Sequence, residues 1–234
     1  MNELQKILKD KNLNLSTNSK GTDKGDYKSY IDQYYYKNFL PLKEKKITLL
    51  EIGVRHGASI ILWNEFFKNI EIYGIDNLSD TMLNDNPFEY PNLKKNNIRF
   101  FNMNAYEKTN IKKINSTFDI IIDDGSHTLS SQLFASKHYT PLLNINGKLI
   151  IEDIQKFGKF SIFFFLFHLN LKYKLDIYDF RKHKKGSDNL LIVIENSNKY
   201  LNNLLSRFYR LILSFFFIFF EFFIILKRKI FINR

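Results

Sequence analysis

The stretch FDIIIDDGSHT, residues 118–128, combines a strand-like half with a polar half. The apolar run that begins at Phe118 predicts a buried strand, because short apolar runs bounded by turn signals are typical of parallel sheets. Two aspartates, a glycine and a histidine follow it. Ionisable side chains at the edge of a core are costly unless a ligand, a metal or a reaction requires them. We therefore expect a functional site where this strand ends.

Similar apolar runs recur along the chain and alternate with segments of helical spacing. The runs that predict parallel strands are 46–53, 70–77, 98–104, 118–124 and 147–154. The segments with helical spacing are 58–67 and 130–143, and an antiparallel strand pair is predicted at 173–182 and 189–196. This pattern predicts an α/β fold with a Rossmann-like, doubly wound and mostly parallel sheet, covered by helices on both faces.

Changes in composition divide the chain into three parts. These are an N-terminal helical segment at 1–45, the sheet-bearing domain at 46–198 and a hydrophobic, basic tail at 199–234. The apolar run of the tail, 211–226, is interrupted by Glu221 and is shorter than the roughly 20 residues that cross a bilayer. It predicts a hydrophobic C-terminal helix that contacts the inner membrane surface through 204–234. The alternative is packing on the domain or in a homo-oligomer interface.

Composition excludes several classes of site and partner. The chain has no cysteine, which rules out disulfides, thiolate nucleophiles and cysteine zinc sites. The N-terminal residues lack the charged-then-apolar pattern of a signal peptide, so we expect a cytoplasmic protein, peripheral at the inner face of the membrane. The net charge of +11 is concentrated beside the apolar tail and not on a basic face with interleaved aromatics. We therefore expect no nucleic-acid partner.

Unusual polar residues gather where the predicted strands end. In doubly wound sheets, ligands bind at the carboxyl ends of the strands. The polar residues and glycines at these ends are Glu51, Gly53, Asp76, Asn102, Asn104, the run 123–127, Glu152 and Asp153. Their convergence on one edge of the sheet predicts a single ligand site.

The first strand-to-helix turn, EIGVRHGAS at 51–59, carries Gly53 and Gly57. Glycines at such a turn let the backbone approach a ligand closely, although a tight turn alone also explains them. Arg55 and Ala58 depart from the G-x-G-x-x-G pattern, which disfavours a pyrophosphate and hence an NAD-dependent oxidoreductase. Asp76, at the end of the second strand, suits the two hydroxyls of a ribose. Together these features favour an adenosine ligand.

Three carboxylates, Asp124, Glu152 and Asp153, follow neighbouring strands. Carboxylates that meet at one edge repel one another unless a cation lies between them. Oxygen ligands without cysteine favour Mg²⁺, Ca²⁺ or Mn²⁺ over zinc. The alternative is that these acids cap helices or pair with Lys and Arg.

The sequence resembles a known family at several of these motifs. They are GTDKG at 21–25, LLEIGVRHGAS at 49–59, IYGID at 72–76, FDIIIDDGSHT at 118–128 and GKLIIEDI at 147–154. The first turn and the acid after the second strand resemble class I S-adenosylmethionine-dependent methyltransferases. The whole set is similar, over about residues 18–195, to the metal-dependent sugar O-methyltransferases of macrolide biosynthesis, whose relatives include the group labelled cephalosporin hydroxylase-like.

The resemblance implies an activity and a set of site residues. It implies Mg²⁺ held by Asp124, Glu152 and Asp153, with His127 as the general base. The residues that it implies for S-adenosyl-L-methionine are Thr22, Lys24, Glu51, Gly53, Gly57, Ser59, Asp76, Asn104 and Asp123, with Thr22 and Lys24 in a segment that covers the cofactor. The expected reaction is O-methylation of a sugar, in a bacterial surface glycan or its precursor. The alternatives are methylation of a non-sugar small molecule and a non-catalytic, membrane-associated binding protein that keeps the fold.

Overall fold

The computed structural model describes residues 1–78, 96–154, 173–181 and 189–197. The predicted C-terminal helix and its membrane contact through 204–234 lie outside the described residues. Among the residues that are described, no helix has the length and apolar character that crossing a membrane requires. The division of the chain into 1–45, 46–198 and 199–234 stays a prediction.

The described chain contains five α-helices and seven strands. The helices are α1 (Glu3–Asp10), α2 (Tyr36–Phe39), α3 (Ala58–Phe66), α4 (Lys108–Ile111) and α5 (Leu129–His138). A π-helical turn, Ile31–Tyr35, leads into α2, and 3₁₀ turns occupy Leu40–Leu42 and Thr140–Leu142. The strands are β1 (Lys46–Ile52), β2 (Asn69–Asp76), β3 (Ile98–Asn102), β4 (Phe118–Asp123), β5 (Leu143–Ile151), β6 (Tyr173–Asp179) and β7 (Leu190–Asn196).

The strands form one sheet in the order β3-β2-β1-β4-β5-β7-β6. The first five are mutually parallel, whereas β7 pairs antiparallel with both β5 and β6. The predicted Rossmann-like sheet and its C-terminal antiparallel pair are therefore confirmed. The order reverses between β1 and β4, which is where doubly wound sheets bind ligands.

Apolar side chains of successive residues face opposite sides of the sheet and create two cores. Leu49 packs in the core that includes α1, the π-helical turn and α3, whereas Leu50 packs in the core that includes α5. Full burial of one such leucine stabilises the fold by about 1.5–3 kcal/mol. Nearly continuous apolar strands are required because both faces of the sheet are covered.

Strand register brings the polar ends of three strands to one edge. Ile52 of β1 pairs with Asp123 of β4, and Asp123 pairs with Ile151 of β5. The residues that follow these strands therefore emerge side by side.

Candidate active site

A cavity of about 900 Å³ opens at this carboxyl edge. Eight residues predicted for the site line it: Thr22, Gly53, Ser59, Asp76, Asn104, Asp124, His127 and Asp153. Five others lie buried behind its wall: Lys24, Glu51, Gly57, Asp123 and Glu152. We call the part around Arg55, Asp76 and Asn104 the Asp76 side, and the part around Asp124, His127 and Asp153 the Asp124 side.

Backbone amides hold the carboxylate of Asp76 in place. Its Oδ2 accepts a hydrogen bond of 2.7 Å from the Arg55 amide, and its Oδ1 accepts one of 2.8 Å from the Leu78 amide. Each carboxylate oxygen can accept a second hydrogen bond, so Asp76 retains capacity for the hydroxyls of a ligand. The binding of ribose hydroxyls by Asp76 stays a prediction.

Gly53 and Gly57 have positive φ values, +84° and +83°, in the turn between β1 and α3. A Cβ on Gly53 would lie 2.1 Å from the carbonyl oxygen of Asp124. Gly53 is therefore required for the close approach of the β1 and β4 ends to each other, and it also borders the cavity. Gly57 is the left-handed N-cap of α3 and shapes the turn from behind.

Glu51 lies in the core behind this turn. Its Oε2 accepts a hydrogen bond of 3.1 Å from the Trp63 indole. Burial raises the pKa of Glu51 to about 7, although the nearby Lys24 ammonium opposes the shift. The structure thus gives Glu51 a structural setting behind the residues that line the cavity.

The segment after β3 contains a tyrosine that the sequence did not single out. Asn104 accepts a hydrogen bond from the Tyr106 amide and donates one to Glu107, so its amide group organises its own loop. The Tyr106 hydroxyl donates to Asp123 at 2.7 Å. Asp123 is 2% exposed, and burial raises its pKa to about 6 against this hydrogen bond. Asp123 therefore anchors the wall through Tyr106, which itself lines the cavity.

On the Asp124 side, one ligand atom from each of Asp124, His127 and Asp153 lies within 4.8 Å of the others. The Nε2 of His127 is 3.9 Å from Oδ1 of Asp124. Two carboxylates and an imidazole are donors that a divalent cation accepts. The cluster therefore contains two of the three predicted metal ligands together with the predicted base.

Backbone strain is concentrated at this cavity. Among the residues that the structure describes, six non-glycine residues have positive φ, and three of them line the cavity: Arg55 (50°), His127 (52°) and Asp153 (54°). Such conformations cost of the order of 1–3 kcal/mol each and occur preferentially at functional sites. The strain supports a binding or catalytic role for the carboxyl edge of the sheet.

A buried lysine from the N-terminal segment contacts three of these carboxylates. The Nζ atom of Lys24 lies 2.6 Å from Oδ2 of Asp124, 2.8 Å from Oε2 of Glu152 and 3.7 Å from Oε1 of Glu51. The side chain is fully buried. Burial alone would lower the pKa of Lys24, but the three carboxylates raise it well above the ordinary value. Lys24 is therefore a charged residue of the interior, not a residue that lines the cavity.

Glu152 contacts the N-terminal segment through both of its carboxylate oxygens. Its Oε2 is bound by Lys24, and its Oε1 accepts a hydrogen bond from the Tyr35 hydroxyl. Burial raises the pKa of Glu152 well above its usual range, and Lys24 opposes that shift. Glu152 thus pairs with Lys24 and Tyr35 in this structure, and its role as a metal ligand stays a prediction.

Asp153 is also contacted by the N-terminal segment. Its Oδ1 accepts a hydrogen bond of 2.6 Å from the Tyr30 hydroxyl and lies 3.0 Å from the Lys28 ammonium. Asp23, beside the predicted Thr22, lines the cavity as well. Sequence reasoning missed Lys28, Tyr30 and Asp23, because no local pattern links them to acids more than 100 residues away.

The comparisons with known proteins give relatives but no matching family model. The chain is 26% identical over 142 residues to an 8-demethyl-8-alpha-L-rhamnosyl tetracenomycin-C 2'-O-methyltransferase of Streptomyces olivaceus, which covers 58% of this chain and 35% of that protein. It is 26% identical over 140 residues to the mycinamicin VI 2''-O-methyltransferase of Micromonospora griseorubida, covering 57% of this chain and 33% of that protein. The chain thus spans about a third of the length of these relatives.

Solved structures share the fold. A structure of the MycE methyltransferase with Mg, SAH and mycinamycin VI superimposes with a TM-score of 0.62 at 18% identity, covering 87% of this chain and 57% of that one. A putative caffeoyl-CoA O-methyltransferase from Staphylococcus aureus gives a TM-score of 0.55 at 17% identity, covering 83% and 92%. The chain therefore has the Rossmann-like fold of class I S-adenosylmethionine-dependent methyltransferases, and its sequence resembles the sugar O-methyltransferases among them.

Proposed function

We propose that this chain transfers a methyl group from S-adenosyl-L-methionine to a hydroxyl of a sugar, with Mg²⁺ bound beside the acceptor. The observation that carries the proposal is that one and the same cavity has Asp76 on one side and Asp124, His127 and Asp153 on the other. Sugar O-methyltransferases among the sequence relatives, and Mg and SAH in a structural neighbour, support it.

The two sides of the cavity have different roles, cofactor binding and cation binding. Asp76 holds the ribose hydroxyls, and the turn that contains Gly53 and Ser59 borders the cofactor. Asp124, Glu152 and Asp153 hold the cation, and His127 stays free of it as the base, with ligand atoms of Asp124, Asp153 and His127 within 4.8 Å of one another. A bound cation stabilises alkoxide character on an oxygen beside it, and the sulfonium of the cofactor provides an electrophilic methyl group.

His127 acts as the general base. Its side chain is one-third exposed in the cavity, so an acceptor hydroxyl can reach its Nε2. The imidazole takes the proton as the hydroxyl oxygen bonds to the methyl carbon and the carbon–sulfur bond breaks. Histidine is the side chain that most often acts as a general base in enzymes.

The acceptor is the least constrained part of the proposal. We place the sugar in a bacterial surface glycan or its precursor, with the protein in the cytoplasm and the tail 204–234 at the inner face of the membrane. A panel of nucleotide sugars, glycan precursors and catechols, assayed with labelled cofactor, separates sugar acceptors from other small molecules. Methylation of catechols alone would contradict the sugar assignment.

Calorimetric titration tests the assignment of the two sides. S-adenosylhomocysteine should bind the full chain with similar affinity in Mg²⁺ and in EDTA, because its contacts lie on the Asp76 side. Asp124→Asn should lose the heat of Mg²⁺ binding and retain cofactor binding. The matched control is Asp10→Asn at the exposed end of α1, which should retain both. Failure of the parent chain to bind the cofactor in either buffer would overturn the methyltransferase proposal.

A further inference from the structure

The hydroxyl of Tyr106 contacts the turn that connects β4 to α5. It donates a hydrogen bond of 2.7 Å to Oδ1 of Asp123, and it accepts one of 3.3 Å from the Ser126 amide. A phenol has a single hydrogen to donate, so donation to Asp123 leaves the hydroxyl oxygen free to accept from Ser126. Tyr106 belongs to the segment after β3, and its hydroxyl therefore joins that segment to both ends of the turn 123–126.

The fit between Tyr106 and this turn depends on Gly125. A Cβ on Gly125 would lie 2.0 Å from the hydroxyl oxygen of Tyr106, closer than two non-bonded atoms can approach. The Tyr106 ring meets the Phe134 ring of α5 edge to face, with the two centroids 6.1 Å apart. The Tyr106 amide donates a hydrogen bond of 3.0 Å to the Asn104 side chain. The backbone, the ring and the hydroxyl of Tyr106 are therefore each restrained.

His127 lies between two restrained residues of the chain. Ser126, immediately before it, donates its amide hydrogen to the Tyr106 hydroxyl. Thr128, immediately after it, is the N-cap of α5 and accepts a hydrogen bond of 3.1 Å from the Ser131 amide. The backbone of His127 itself has a φ of 52°, which persists only where the surrounding contacts impose it. The contacts of Ser126 and Thr128 restrain the backbone on either side of His127.

We propose that Tyr106 is a positioning residue for methyl transfer, whose hydroxyl holds the turn 123–126 so that the His127 imidazole faces the acceptor hydroxyl. This inference rests on the proposed function, in which His127 is the general base. A general base must lie within hydrogen-bond reach of the proton that it removes, and a displacement of about 1 Å can cost about 10²-fold in rate. Tyr106 acts on His127 through the backbone of Ser126, so loss of its hydroxyl should lower turnover without abolishing it.

Tyr106→Phe removes the hydroxyl and keeps the ring, which gives the test. In NMR spectra of the histidine side chains of the full chain, the His127 signals, identified by their absence from His127→Ala, should move by more than their line width in Tyr106→Phe. With a sugar acceptor of the panel, kcat should fall about tenfold, while the Kd for S-adenosylhomocysteine changes by less than about threefold. Tyr139→Phe is the matched control, because it removes a buried hydroxyl that donates to the Ala105 carbonyl at 2.7 Å and should leave kcat and the His127 signals unchanged. Unmoved His127 signals in Tyr106→Phe would overturn the role of Tyr106 alone, whereas absence of methyl transfer by the parent would overturn the proposed function.

Gly125→Ala covers the event that Tyr106→Phe does not fold, since that variant leaves Asp123 buried without its hydroxyl donor. Gly125→Ala keeps every polar atom and places a Cβ against the Tyr106 hydroxyl, which must then move away from the turn. Its His127 signals should also move, and unmoved signals would overturn the inference. Because both substitutions break one contact, their effects on kcat should not multiply in Tyr106→Phe/Gly125→Ala. Losses that multiply would show that the hydroxyl does not act through this turn.

Discussion

On the Asp76 side and on the Asp124 side of the cavity, the negative charge of the carboxylate is stabilised by different kinds of partner. Asp76 is held by the amides of Arg55 and Leu78, which are near it in sequence or in the adjoining turn. Asp124, by contrast, accepts a hydrogen bond from the ammonium of Lys24, which lies 100 positions earlier in the chain. The first arrangement follows from local backbone geometry, whereas the second exists only when the N-terminal segment is docked on the sheet.

This difference predicts that the two sides respond separately to mutation. Backbone amides at a strand end remain in place as long as β1 and β2 are paired. The ion pairs of Lys24 depend on the contacts of a separate segment, and a buried charge that loses its partner is strongly destabilising. Cofactor binding and cation chemistry should therefore be separable by single substitutions.

The largest effect should come from His127→Ala. Removal of a general base lowers turnover by about 10²–10⁴, while binding of S-adenosylhomocysteine should remain nearly intact because that ligand contacts the Asp76 side. Methyl transfer and calorimetry on the same preparation measure both. His138→Ala, which removes a ring that packs on Phe134 at the end of α5, is the control and should keep its turnover. Weak cofactor binding with normal residual turnover in His127→Ala would refute the assignment of the base.

The reciprocal substitution, Asp76→Ala, should affect the other side. Loss of hydrogen bonds to a charged acceptor costs about 1.5–3 kcal/mol, which weakens S-adenosylhomocysteine binding by about 10- to 100-fold. Mg²⁺ binding should be unchanged, because the ligand atoms for the cation lie on the Asp124 side. Titration of both ligands into Asp76→Ala and into Asp10→Ala checks this. A parallel loss of Mg²⁺ binding would show that the two sides form one cooperative unit.

The sequence was informative where structure depends on neighbours along the chain. Apolar runs predicted all seven strands. The sequence also predicted that Asp76 ends the second strand at the ligand-binding edge, and there its carboxylate accepts a hydrogen bond from the Arg55 amide. The sequence did not predict which side chains folding would pair. Lys24 binds Glu152, 128 positions away, and Asp123 is buried against Tyr106, while the cofactor roles expected of Lys24 and Asp123 stay predictions. No local pattern encodes those contacts, because they depend on how separate elements dock.

Glu51 is fully buried behind the cavity, and its ionisation should have a measurable cost. Burial raises its pKa from 4.5 to about 7, so the folded chain holds this proton more tightly than the unfolded chain does. The contribution of Glu51 to stability is therefore greatest at low pH and is lost as pH rises from about 4.5 to 7. Glu51→Gln is always neutral and should remove this part of the pH dependence.

Urea unfolding of both chains at pH 5 and pH 7.5 measures the difference. The free energy of unfolding of the parent should fall between these pH values by about 1–3 kcal/mol more than that of Glu51→Gln. Trp63→Phe is the matched control, because it removes the indole donor and leaves the carboxyl group to titrate. That variant should be less stable at both pH values and should show a pH dependence at least as steep as that of the parent, because the lost hydrogen bond holds the pKa of Glu51 down. Equal slopes in the parent and in Glu51→Gln would mean that Lys24 keeps Glu51 ionised throughout this range, and the two sides would then share one electrostatic network.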